Sequence, residues 1–150
     1  MTHSVVMTDL AFEELAKQES SISFVHAYPG GVKTGFFRSA GTMANIGGKI
    51  LYALLAPWMV GLEESGERHL YAATSAAYPS KEGPKGVELQ DGVEVASGSD
   101  GVVGSGAYLL NWDGMITGRM ELLREYREKG VGQMIWNHTL EILERVRATT

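Results

Sequence analysis

Apolar positions recur along the first eighteen residues with a helical period. Over Val5–Gln18 the residues Val6, Leu10, Leu15 and Ala16 fall near one stripe, and Asp9, Glu13, Glu14 and Lys17 take the other side, with Glu13 and Lys17 as an i,i+4 pair. The short loop Glu19-Ser20-Ser21 follows. Ile22–Ala27 then runs apolar with little polar alternation, the pattern of a strand covered on both faces of a parallel sheet. Pro29-Gly30-Gly31 ends it. Phe36-Phe37-Arg38 suits a short helical turn. Met43–Val60 reads as a helix that Pro57 bends or ends. Glu63–Ser75 reads as another, with Leu70, Tyr71 and Ala73 facing inward.

Beyond Gly83-Pro84 the pattern changes. Asp91-Gly92 between Val87-Glu88-Leu89 and Val93-Glu94-Val95 predicts a β-hairpin. Gly98–Gly106 reads as a flexible segment, Ala107–Trp112 as a strand, and Gly118–Lys129 as a helix stopped by Gly130. Gln133–Val146 is a last amphipathic helix whose expected buried set is Ile135, Trp136, Leu140, Leu143 and Val146. Helix, loop, buried strand, and strand again after helices is an α/β sequence. The expected fold is an incomplete Rossmann-like unit with a small parallel sheet containing Ile22–Ala27 and Ala107–Trp112, flanking helices and the hairpin.

Composition narrows the function. The 150 residues suffice for one domain, 1–150, with a real core, and the net charge of −5 argues against a nucleic-acid binder. The most apolar run, Ile50–Val60, is too short for a membrane span and is broken by Pro57. Met1–Val6 has no basic region of a signal peptide, and the absence of cysteine removes disulfides and thiolate chemistry. The expectation is a cytoplasmic protein without membrane or nucleic-acid partners.

Candidate chemistry centres on Ile22–Thr34. His26 reads either as a satisfied core histidine or as an acid–base group. Tyr28 through Gly31 reads as a turn, as a ligand-contact loop at a strand's carboxyl end, or as both. His69 reads as a surface residue beside Arg68, His138 lies within the sequon-like Asn137-His138-Thr139, and His3 is near the start. No His-x-x-x-His pairing argues for a metal. Glu63, Glu64 and Glu67 suit a helix N-terminus. Phe36, Phe37, Met43, Trp58 and Met59 are compatible with a pocket for a hydrophobic small molecule or with ordinary core.

ISFVHAYPGGVKT, Ile22 to Thr34, resembles the late strand and Pro-Gly-x-Val-x-Thr cofactor loop of short-chain dehydrogenases/reductases, and Met7–Gln18 resembles the end of the helix before it. Glu64–His69 and Gly104–Leu110 are similar to segments of fungal members, several of which serve secondary metabolism. The resemblance implies an oxidoreductase's substrate-side (C-terminal) half, with Pro29, Gly30, Val32 and Thr34 against the nicotinamide of NAD(P). It also implies that the two strands are parallel neighbours.

The sequence departs from that family in two respects. Neither Gly-x-x-x-Gly-x-Gly nor Gly-x-Gly-x-x-Gly occurs, so the turn that brings backbone N–H groups to a pyrophosphate is absent from these residues. No tyrosine has a lysine four residues on, so the phenol whose pKa a neighbouring cation lowers is absent too. The expectation is therefore no cofactor on its own, with NAD(P) bound only if the other half is supplied. Three functions remain open: a reductase half completed from elsewhere, a cofactor-independent isomerase or cyclase using His26 or Tyr28, and a non-catalytic remnant or partner subunit. A bare strand edge also predicts a homo-oligomer, with Ile22–Ala27 or Ala107–Trp112 near the interface.

Overall fold

The first helix sets out the architecture, because it carries the stripe that covers the sheet. In the computed structural model, which describes residues 3–33, 48, 51 and 53–149, helix α1 spans His3–Gln18. Val6, Leu10 and Ala16 are buried as the periodicity requires. Asp9, Glu13 and Glu14 are buried with them, contrary to the solvent face expected for them. The helical period explains two of the three: positions 6, 9, 10, 13 and 16 lie on one side of a helix, so Asp9 and Glu13 sit inside the apolar stripe. Lys17 pairs with Glu14 at 2.6 Å, not with Glu13.

Strand β1, Phe24–Ala27, and strand β2, Ala107–Leu110, form a two-stranded parallel sheet in which Phe24 pairs with Ala107 and Ala27 with Leu110. This is the neighbouring parallel pair expected, within an α/β arrangement of flanking helices. Phe24 N–H donates to Gly106 O and Tyr28 N–H to Leu110 O, both at 2.8 Å, so alternate residues of β1 face β2. The far side of β2 is covered: Ser99 N–H donates to Ala107 O at 2.8 Å and Thr117 N–H to Leu109 O at 3.0 Å. Val25 and Ala27 direct their backbone groups to the other edge of β1, where none of the described residues meets them with a hydrogen bond.

Two helical layers enclose the sheet. On one face α1 packs with α3, Met120–Glu128, and α4, Val131–Thr149, around Val6, Leu10, Leu109 and Leu123. On the other, Ala77, Tyr78, Tyr108 and Leu110 form a second core under α2, Leu62–Thr74. The Tyr108 O–H donates to Pro79 O at 2.7 Å, and the rings of Tyr78 and Tyr108 meet edge to face with centroids 5.5 Å apart.

Several expectations are corrected. Leu70 and Ala73 face outward on α2, Tyr71 is half-exposed with its ring edge-on to Tyr78, and Ser65 and Ala72 turn inward. Of the buried set expected for α4, Ile135 packs against the core, joined by Val131, which lies ahead of the expected helix start; Leu140, Leu143 and Val146 are exposed. No strand forms over Val87–Val95. Asp91-Gly92 does turn the chain, closed by Val93 N–H to Gln90 O, but Val87 pairs with Ser75 instead of with the second arm. Gly98–Gly106, expected to be flexible, is stitched down by Gly98 N–H to Val102 O and Gly104 N–H to Ala96 O. Its glycine serves close approach, since a Cβ on Gly98 would stand 1.9 Å from Ser105 Oγ. The Phe36–Arg38 turn and residues 43–47, 49, 50 and 52 of the Met43–Val60 helix fall outside the described residues; residues 53–55 are helical, and Pro57 lies in a 3-10 turn, Ala56–Trp58.

Candidate functional site

Parallel strands leave a crevice at their carboxyl ends, and the residues read as candidates from the sequence gather there. β1 delivers His26 on the α1 side of the sheet and Tyr28 just past its end. Tyr28 is 60% exposed and borders two cavities, each of about 360 Å³. The first lies toward α1, between Val5, Asp9, His26, Pro29, Leu109 and Thr117. The second lies toward α2, between Arg68, His69, Tyr71, Tyr78 and Trp112.

The loop after Tyr28 is fixed at both ends. Gly30 has φ +73°, and a Cβ there would approach Trp112 Cβ to 2.9 Å, so glycine meets both the backbone and the packing demand. Val32 pairs with Val60: Val60 N–H donates to Gly31 O at 2.8 Å and Lys33 N–H to Val60 O at 3.0 Å. Thr34 lies outside the described residues, as do Phe36, Phe37 and Met43. Trp58 is 80% exposed and borders neither cavity.

Each cavity has its own electrostatics. In the first, His26 Nδ1 stands 2.5 Å from Asp9 Oδ1. Asp9 is 1% exposed. Burial raises its carboxyl pKa above the ordinary value, opposed by the hydrogen bond and charge of His26. In the second, the Arg68 guanidinium sits over Trp112, 4.9 Å from the ring centroid, donates to Trp112 O at 2.6 Å and pairs with Glu64 at 2.5 Å. His69 is held by its own helix through Ser65 O at 2.6 Å. His138 is exposed on α4, away from both cavities. Glu63 and Glu64 occupy the first turn of α2, as a helix dipole favours. Among the described residues no cluster of three or more potential metal ligands occurs, and no helix is long and apolar enough to cross a membrane.

The structure therefore brings together His26, Tyr28, Pro29 and Gly30, and it adds Asp9, Arg68 and Trp112, which the sequence reading did not select. Asp9 was detectable: an acid three residues after Val6 and one before Leu10 must share their stripe. The Arg68–Trp112 contact joins positions 44 residues apart and leaves no local signal.

Against known proteins the chain is similar to fungal oxidoreductases along nearly its full length. It is 41% identical over 147 residues to oxidoreductase AN1596 of Emericella nidulans, covering 95% of this chain and 44% of that protein. It is 41% identical over 148 residues to oxidoreductase andH of Emericella variicolor, covering 96% and 43%. A more distant match is short-chain dehydrogenase/reductase SAT2 of Stachybotrys chartarum, 28% identical over 149 residues, covering 96% and 41%. The chain thus spans less than half the length of these relatives. No family model matches it, and no solved structure matches it.

Proposed function

We propose that this chain is the substrate-side part of a short-chain dehydrogenase/reductase of fungal secondary metabolism. In this reading it acts on a hydrophobic small molecule together with a nucleotide-binding part contributed by another chain or by further sequence. The observation that carries the reading is the 41% identity, over 95% of this chain, to proteins named oxidoreductases of more than twice its length.

The geometry supports the same division of labour. The Tyr28–Val32 loop, braced by Trp112 and Val60, offers an apolar wall at the carboxyl end of β1 against which a nicotinamide ring would fit. Pro29, Gly30 and Val32 are the contacts assigned to it, with Thr34 following in sequence. The residues include no Gly-rich strand-to-helix turn for the pyrophosphate, so the fit is to the ring alone. Hydride transfer would be the cofactor's chemistry; the chain's own share is to bind and orient the substrate beside it. The cavity lined by Arg68, Tyr71, Tyr78 and Trp112 suits a flat apolar substrate.

The open edge of β1 is where the complementary part would add a strand. Two parallel strands are few for an independent sheet, and a helix leading into a strand is the second half of a crossover unit. A second copy of the chain is the alternative cover, giving a homo-oligomer; β2, itself buried, is unavailable for that contact. Co-expression with the remaining part of a relative such as the Emericella nidulans protein tests the reading. A stable complex that oxidises NADPH with an apolar ketone supports it. Failure of the two parts to associate, with no turnover, contradicts it.

A further inference from the structure

Asp9 presents an unusual arrangement for a surface helix: a carboxyl group enclosed to 1% exposure, with its Oδ1 directed at an imidazole 2.5 Å away. Enclosing such a group is costly unless a partner compensates. The partner chosen is the one side chain that can pass a proton onward near neutral pH. With the carboxylate as acceptor, Nδ1 carries the proton, and the lone pair resides on Nε2. Phe12 stands edge-on to the ring at 6.1 Å between centroids. The His26 side chain remains 32% accessible and borders the cavity toward α1. No hydrogen bond to Nε2 comes from the described residues. The cavity's other walls are chiefly Val5, Pro29, Leu109 and Leu110, and its titratable described residues are Asp9, His26 and Tyr28.

We propose that Asp9 and His26 form a general-base pair for an apolar ketone bound in this cavity, with Nε2 removing a proton from the carbon next to the carbonyl. In that step the C–H bond breaks, its electron pair forms the enolate C=C, and the carbonyl π pair moves to oxygen. Nε2 keeps the proton and returns it either to the same carbon or, in a β,γ-unsaturated ketone, to the γ carbon with migration of the double bond. Atoms and electrons balance without an oxidant or reductant. His26 is the catalytic residue; Asp9 is a positioning residue that selects the ring tautomer. Tyr28, which borders the same cavity, carries a donor type suited to the enolate oxygen. The step consumes no nicotinamide, so it stands or falls separately from the reductase reading.

The test is α-hydrogen exchange of 2-tetralone in D₂O, followed by mass spectrometry in cofactor-free buffer with the purified chain. Exchange about 10²-fold faster than with equimolar free imidazole is expected. His26→Gln should return it to that background. Asp9→Asn should lower it about tenfold or more, because the amide favours the wrong tautomer. Exchange no faster than with imidazole, or exchange indifferent to His26→Gln, overturns the proposal. Should either variant fail to fold, the ¹⁵N ring shifts of His26 in the unmodified chain decide: the Nδ1–H tautomer supports the pair and the Nε2–H tautomer refutes it.

Discussion

Gly30 lies so close beneath Trp112 that a single added carbon would stand 2.9 Å from the tryptophan Cβ. The same residue holds φ +73°, a region costing other residues roughly 1–2 kcal/mol. Gly30→Ala therefore combines a backbone penalty with a displaced indole. Urea denaturation should show a loss of about 2 kcal/mol. A loss under about 0.5 kcal/mol, the size of a neutral surface change, would mean that the loop is not braced as described.

Leu10 has no exposed surface and joins Val6, Leu109 and Leu123 in the core between α1 and the sheet. Leu10→Ala should cost about 2–5 kcal/mol in the same experiment. A near-neutral result would remove α1 from that face.

Glu13 links three elements: its Oε1 accepts from Ser99 Oγ at 2.7 Å, and Oε2 lies 3.1 Å from Arg127 Nε on α3. Burial nevertheless raises its carboxyl above the ordinary 4.5, with Ser99 and Arg127 opposing and Asp100 adding to the rise. A raised carboxyl means that the folded state holds the proton more tightly than the unfolded chain. That contribution is complete below 4.5 and is lost as pH rises through the folded pKa. Relative to Glu13→Gln, the unmodified chain should lose stability between pH 4 and pH 7, at no more than about 1.4 kcal/mol per pH unit. Denaturation curves at pH 4, 5.5 and 7 check the sign. A difference that grows in favour of glutamate with rising pH would contradict it.

Arg68 and Trp112 close the cavity on the α2 side through ring stacking and a carbonyl contact. In a Trp58→Phe, Trp136→Phe background, Arg68→Ala should shift Trp112 emission to longer wavelength as water reaches the ring, and should cost about 1 kcal/mol. Unchanged emission would show that the guanidinium does not shield the indole.

How far the sequence led is clear from particular residues. Ile22–Ala27 was legible as a strand because it lacks polar alternation, and the Pro-Gly turn marked its end, yet β1 is only half-buried and Ile22 is exposed; Ala107–Trp112 was legible as a strand, and its β2 part is the one fully buried. Their parallel pairing came from the family resemblance and is the pairing observed. Local patterning failed where partners lie far away. Glu13 is inside because Ser99 and Arg127 meet it, and neither is near it in sequence. Leu70 looked inward by composition, yet the small residues Ser65 and Ala72 allow α2 to approach the sheet. The Asp91-Gly92 turn stands without its hairpin because Val87 pairs with Ser75 instead. At the site, His26, Tyr28, Pro29 and Gly30 were legible as a contiguous strand-end motif; Arg68 and Trp112 were not, since only folding brings them together.

The division between a substrate-side chain and a separate nucleotide-binding part is tested most directly by titrating this 150-residue chain with NADPH by calorimetry, alone and after assembly with the remaining part of a relative. Saturable one-to-one binding is expected only for the assembled pair. Saturable one-to-one binding by the chain alone would contradict it.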